Sequence, residues 1–118
     1  MIQSVSNTIT GNGTMYLGSR LRGRILAVKV EAGAVTASSD IALTGETTGV
    51  PILDDDSVTA SATTWYYPRA LATVHTTGAV SAIVAVEIPV LNERIKVVTA
   101  LAGTTKDITV TVIYDSED

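Results

Sequence analysis

Asp107-Ile108-Thr109-Val110-Thr111-Val112-Ile113-Tyr114 is the stretch that decides the fold. Ile108, Val110, Val112 and Tyr114 alternate with Thr109, Thr111 and Ile113, a period of two that a pleated strand satisfies and a helix does not. β-Branched residues stand on both faces, so the predicted strand has one face in a core and the other partly covered. Arg94 to Leu101 repeats the pattern, with Ile95, Val97 and Leu101 against Lys96 and Val98. Between them, Ala102-Gly103-Thr104-Thr105-Lys106 reads as a hairpin loop that pairs the two strands.

Working outward, Leu26, Val28 and Val30 alternate with Ala27, Lys29 and Glu31, a further half-buried strand. Asp40 to Thr44 and Val50 to Leu53 are short strand candidates broken by Gly45 and Gly49. Ser81 to Ile88 is a continuous apolar run, and its Ile83, Val84 and Val86 favour strand over helix. Turn signals recur at Gly11-Asn12-Gly13, Gly33, Gly45, Asp54 to Asp56, Gly78 and Gly103, a spacing that suits antiparallel sheets. The expectation is an all-β chain: one antiparallel β-sandwich or barrel of about eight strands, with an extended N-terminal arm. Residues 1–19, rich in Ser, Thr, Asn and Gly, are that arm or a plain first strand. Residues 20–118 are the β-sandwich domain. No internal repeat and no linker interrupts it.

A length of 118 residues sets one domain with limited burial per residue. Hydrophobic content of 46% against 17% charge is globular, and aromatics at 4% leave the core to branched aliphatics and alanine. Such a core buries little area per residue, so self-association is expected. The net charge of −4 argues against general nucleic-acid binding. With no cysteine there is no disulfide, thiolate metal site or cysteine nucleophile. No run approaches the roughly 18 apolar residues of a membrane helix. The first residues lack the basic and apolar regions of a secretory signal, which predicts a protein made and kept in a cytoplasm, or released only when the cell breaks.

Two constellations stand out. Trp65-Tyr66-Tyr67-Pro68-Arg69 holds three of the five aromatic residues. On an extended chain Trp65 and Tyr67 share one face and Tyr66 takes the other. Pro68 puts the run at a sheet edge, a bulge or a strand end. The run anchors either the core or an interface. Arg20, Arg22 and Arg24 place three guanidinium groups on one strand face, either solvated or docked on an acidic surface. Leu26 and Val28 continue the arginine parity, so a bulge near Gly23 resets the register or the strand leaves the core at its start.

Other features are weaker. Asp54-Asp55-Asp56 is a candidate counter-charge for the arginines, and its consecutive carboxylates do not match a spaced calcium loop. His75 is the only histidine, and general-base work would need a partner that sequence does not place. No nucleophile elbow, phosphate loop or dinucleotide fingerprint is present. No cofactor or metal is expected, and the residues suit a structural role rather than catalysis.

Four segments in order carry a resemblance: Gly23-Arg24-Ile25-Leu26-Ala27-Val28, Ser39 to Thr44, Trp65-Tyr66-Tyr67-Pro68-Arg69-Ala70-Leu71 and Pro89 to Val98. Spanning about residues 20 to 114, they look like small virion proteins of tailed bacteriophages, and are similar to capsid decoration, or cement, proteins. The apolar stretch Ala79 to Val86 departs from the polar insertion expected in relatives. The resemblance implies a homotrimer on the capsid exterior, made in the host cytoplasm, with the major capsid protein as partner and no nucleic acid or membrane. Arg20, Arg22, Arg24, Trp65, Tyr66, Tyr67 and Arg69 would provide the capsid or subunit interface. The alternatives are a neck or tail component and a glycan-binding module on a fibre.

Overall fold

Nine strands and no helix make up the described chain: β1 (Ile2–Thr10), β2 (Gly13–Ala32), β3 (Asp40–Gly45), β4 (Pro51–Asp55), β5 (Thr63–Tyr66), β6 (Arg69–Thr73), β7 (Val80–Glu87), β8 (Pro89–Ala100) and β9 (Asp107–Ser116). The computed structural model describes residues 1–35, 39–73, 80–100 and 107–117, and only the backbone of 71–73 and 80–84. His75, the turn at Gly78 and the loop 102–106 lie outside the described residues.

β2, 20 residues long, organises everything else. Gly13 to Arg24 pairs antiparallel with β8. Gly23 to Ala32 pairs with β9 on the opposite edge, while Val28 to Glu31 also takes β5. The sheet therefore runs β1-β9-β2-β8-β3-β4 with β5 on β2, and β6 and β7 form a separate ribbon. Through β2 the sheet has two halves, one of β1, β9 and β5, the other of β8, β3 and β4. Their inward faces share one core, in which Leu17, Ile41, Leu43, Ile95 and Val97 meet Val28, Val30, Ile108, Val110 and Val112. The result is an all-β, antiparallel, sandwich-like fold, as the alternation predicts.

The decisive stretch behaves as read. Along β9, Ile108, Val110, Val112 and Tyr114 are buried, and Thr109, Thr111 and Ile113 are half-buried. The predicted hairpin is wrong, however. β8 and β9 do not pair with each other: β2 lies between them, with nine register pairs to each. A short connection with a glycine shows only that the chain reverses. Which strand it pairs with depends on the longest available edge, and β2 provides two.

One glycine ties β2 to both neighbours at close range. Gly23 pairs with Val90 on one side and Ser116 on the other. It has φ of +144°, and a Cβ there would fall 2.0 Å from the Asp115 carbonyl oxygen, so only glycine fits. Of the two readings of the arginine parity, the structure shows a register reset, and it lies at Leu26, between Ile25 and Ala27, three residues beyond Gly23. Ile25 is buried before the bulge, and Val28 and Val30 after it.

Of the two readings of the N-terminus, residues 2–10 form a strand, paired along its length with β9 from Ile2↔Asp115 to Thr10↔Asp107. Residues 19 and 20 both lie inside β2. The apolar run after Gly78 contributes β7.

Candidate interaction surface

The arginine stripe sits where β2 leaves one half of the sheet for the other. Leu21 and Ile25 point into the core, and Arg20, Arg22 and Arg24 are exposed on the other face. Arg24 lies 3.7 Å from both Glu87 and Asp115. Those two carboxylates, rather than Asp54 to Asp56, are its counter-charges. Arg20 and Arg22 have no ion-pair partner among the described residues.

Directly opposite Arg22 stands Leu91, 56% exposed. Its outward position comes from a bulge at Asn92, which has φ of +60°, a left-handed conformation that asparagine tolerates. Without that bulge Leu91 would share the inward parity of Glu93, Ile95 and Val97. Arginines beside an exposed leucine make a surface of the composition that interfaces favour. Sequence periodicity could not place Leu91 there, because a single extra residue inverts the pattern.

The aromatic run divides as its alternation predicts. Trp65, 46% exposed, lies opposite Lys29 on β2, whose ammonium sits 5.7 Å from the indole centroid. Tyr67 is 66% exposed. Tyr66 turns inward and packs against the core, and its hydroxyl donates to Asp55 Oδ2. Burial first, then the Asp55 hydrogen bond and charge, push the Tyr66 phenol up to about 12. Asp55 also accepts from the Ser57 amide at 2.9 Å, so the aspartate run shapes a turn. No group of three or more metal-ligating side chains forms among the described residues. Pro68 falls between β5 and β6, and Arg69 ties them to β2 by donating to the Leu26 carbonyl at 3.1 Å and the Pro68 carbonyl at 2.7 Å.

The run is thus both core and surface: Tyr66 anchors it, and Trp65 and Tyr67 are presented. The arginines and Trp65 do not form one cluster. Arg24 and Lys29, the residue under the indole, are five positions apart along β2, about 16 Å at strand rise. They lie along one long strand with Leu91 beside the arginines.

Sequence reading missed one internal site. Glu93, 4% exposed, occupies an inward position of β8 in line with Ile95 and Val97. Its Oε1 accepts from the amides of Thr47 (2.7 Å) and Thr48 (2.9 Å), and its Oε2 from the Thr48 hydroxyl (2.7 Å). Burial alone would raise this carboxyl, but the Thr48 and Thr47 hydrogen bonds outweigh it and hold the pKa below the usual value. The carboxylate therefore closes the β3–β4 turn from within. Beside it, Arg94 makes a two-point pair with Glu46, each contact 2.6 Å, and stacks 3.9 Å over the Tyr16 ring. A charged residue at a core parity was the available signal.

No protein-family model matches the chain, and neither does any curated protein. Solved structures do share its fold. A chain of the acidic stable capsid structure of Helicobacter pylori bacteriophage KHP30 aligns with a TM-score of 0.60 at 13% identity, covering 96% of this chain and 86% of that one. A chain of the capsid asymmetric unit of cyanophage Pam1 aligns with a TM-score of 0.56 at 15% identity, covering 96% and 83%. At these identities the likeness is one of fold, and it extends over nearly the whole of this chain and more than four fifths of each neighbour.

Proposed function

We propose that this chain is a tailed-bacteriophage virion protein that binds the outer surface of the capsid and reinforces contacts between capsomers, as a trimer. The observation that carries the proposal is the recurrence of its whole fold in chains of two phage capsid structures. The four sequence segments that resemble decoration proteins agree with it. The role is structural rather than enzymatic. Arg20, Arg22 and Leu91 on one stretch of β2 and β8, with Trp65 on β5 and Tyr67 just beyond its end, provide contacts to the capsid or to neighbouring copies. Arginine and large aromatics are the residues that dominate interface energy.

The test is saturation binding of purified protein to shells assembled from the major capsid protein of the same phage, with bound copies counted per shell. Hundreds per shell are expected. A dozen or fewer would move the protein to the neck or tail. The exposure of Trp65 and Tyr67 also favours one other reading, a glycan-binding module, since exposed rings stack on sugar faces. That reading predicts quenching of Trp65 fluorescence by host-surface oligosaccharide, and the capsid reading predicts none.

A further inference from the structure

The outer face of β2, β8, β3 and β4 carries charges of opposite sign at its two ends. At one end are Arg20 and Arg22, both exposed, with the exposed Leu91 opposite Arg22. At the other, Val98, Ala42 and Asp54 stand in one row across β8, β3 and β4. Val98, Asp54 and Asp56 are exposed, and the half-buried Asp40 lies beside them, opposite Ala100. The Val58 amide donates to the Ser39 carbonyl at 3.0 Å, which brings the chain after β4 back toward Asp40. Between the two ends the charges are satisfied. Arg94 pairs with Glu46 over the Tyr16 ring, and Lys96 acts on the same carboxylate.

Most other described ionic groups are occupied too. Arg24 faces Glu87 and Asp115, and Lys29 meets Glu31 at 3.1 Å. Asp55 serves Tyr66 and Ser57, and Asp107 accepts from Thr10. Arg20, Arg22, Asp40, Asp54 and Asp56 make no ion pair among the described residues. Glu117, whose amide donates to the Arg22 carbonyl at 3.1 Å, lies beside that arginine and makes no ion pair with it. The two arginines therefore outnumber it. Arg22 and Asp40 are separated on β8 by the run from Leu91 to Ala100, about 30 Å at strand rise. They do not neutralise each other within one copy.

We propose that the basic end of this face binds the acidic end of a second copy. Arg20 and Arg22 meet Asp54 and Asp56, and Leu91 and Val98 are covered between them. The inference refines the self-association within the reading above, and it holds or fails without the capsid. A second copy is the occupant because this chain presents both halves of the contact. Each end sets unpaired charge beside one exposed aliphatic side chain, and the signs are opposite. Two different patches meet, so the contact is heterologous and leaves every copy a further end to fill. Charge complementarity fixes partner and register, and burial of the apolar pair adds affinity.

Sedimentation velocity of the purified protein over a concentration series, at low and high salt, tests this. Wild type is expected to assemble and to dissociate as salt rises. R20E/R22E and D54K/D56K are each expected to weaken assembly by about tenfold or more, with melting within about 2 °C of wild type. The combined variant R20E/R22E/D54K/D56K reverses both ends and is expected to regain assembly, which damage to the fold by either pair would not produce. A wild type that stays monomeric throughout the series would overturn the proposal. Assembly untouched by either charge reversal, or a folded combined variant that stays monomeric, would overturn it as well. Binding to shells of the same phage's major capsid protein, measured in parallel, separates the two claims. A monomer that saturates shells removes this contact and spares the capsid reading; a protein that assembles through these charges but binds no shells does the reverse.

Discussion

Replacing Glu93 with alanine tests the internal logic of the fold at its most exacting point. The substitution removes three hydrogen bonds of 2.7, 2.9 and 2.7 Å and leaves the Thr47 and Thr48 amides without their carboxylate acceptor. Hydrogen bonds to a charged group contribute about 1.5–3 kcal/mol each and are not additive when they share an acceptor. Removing the buried charge also recovers its desolvation cost, which offsets part of the loss. The net expectation is a destabilisation of about 3 kcal/mol, or roughly 10 °C in melting temperature for a chain of this size. Glu93→Gln keeps a carbonyl for the two amides and loses the charge, so it should cost only about 1 kcal/mol. Both values are read by thermal and urea unfolding, followed by circular dichroism at fixed protein concentration. An alanine variant melting within 2 °C of wild type would refute the claim that this carboxylate holds the β3–β4 turn.

Four further outcomes follow from the same structure. Acid should unfold the protein by protonating Glu93, Asp115 and Glu46, all held below the usual carboxylate range. Their stabilisation is fully present above the unfolded value near 4 and is lost as pH falls through the lower folded values, so melting temperature should drop below about pH 4; a flat profile from pH 6 to 2.5 would contradict this. Ultraviolet titration should find one tyrosine ionising near 12, and Tyr66→Phe should abolish that step and cost about 1 kcal/mol through the lost Asp55 bond. Gly23→Ala should prevent folding or cost more than about 4 kcal/mol, given a Cβ placed 2.0 Å from a backbone oxygen; soluble, wild-type-like protein would show that β9 yields. Trp65→Ala should leave melting within about 2 °C yet weaken shell binding at least tenfold, and unchanged occupancy would remove Trp65 from the interface.

Strand content was legible because alternation is a local property. Ile108 to Tyr114 announces its buried face in every second residue, and the outward turn of Trp65 and Tyr67 against Tyr66 follows from the same rule. Pairing was not legible. Nothing in residues 94–114 says that β2 lies between β8 and β9, because that outcome depends on a strand about 80 positions away in sequence. Bulges account for the other misses. A reset near Gly23 is one of two readings that the parity of the arginines allows, and parity alone does not fix it at Leu26; the reset at Asn92 leaves no trace in the hydrophobic pattern, so Leu91 is not visible beside Arg22. Glu93 was visible as a charge at a core parity. Its partners were not, since Thr47 and Thr48 reach it only when β3 and β8 pair. The aspartate run looked like a partner for arginine because opposite charges attract, yet Glu87 and Asp115 flank Arg24 by register and Asp55 serves Tyr66 instead.

The central claim is that this fold sits on a phage head. Cryo-electron reconstruction of purified virions, with this chain fitted into the shell density, tests it most directly. The account predicts trimers on the outer surface at threefold or quasi-threefold positions, with β2, β8 and β5 turned toward neighbouring chains. A shell with no such density, or density for this chain confined to the portal or tail axis, would contradict it.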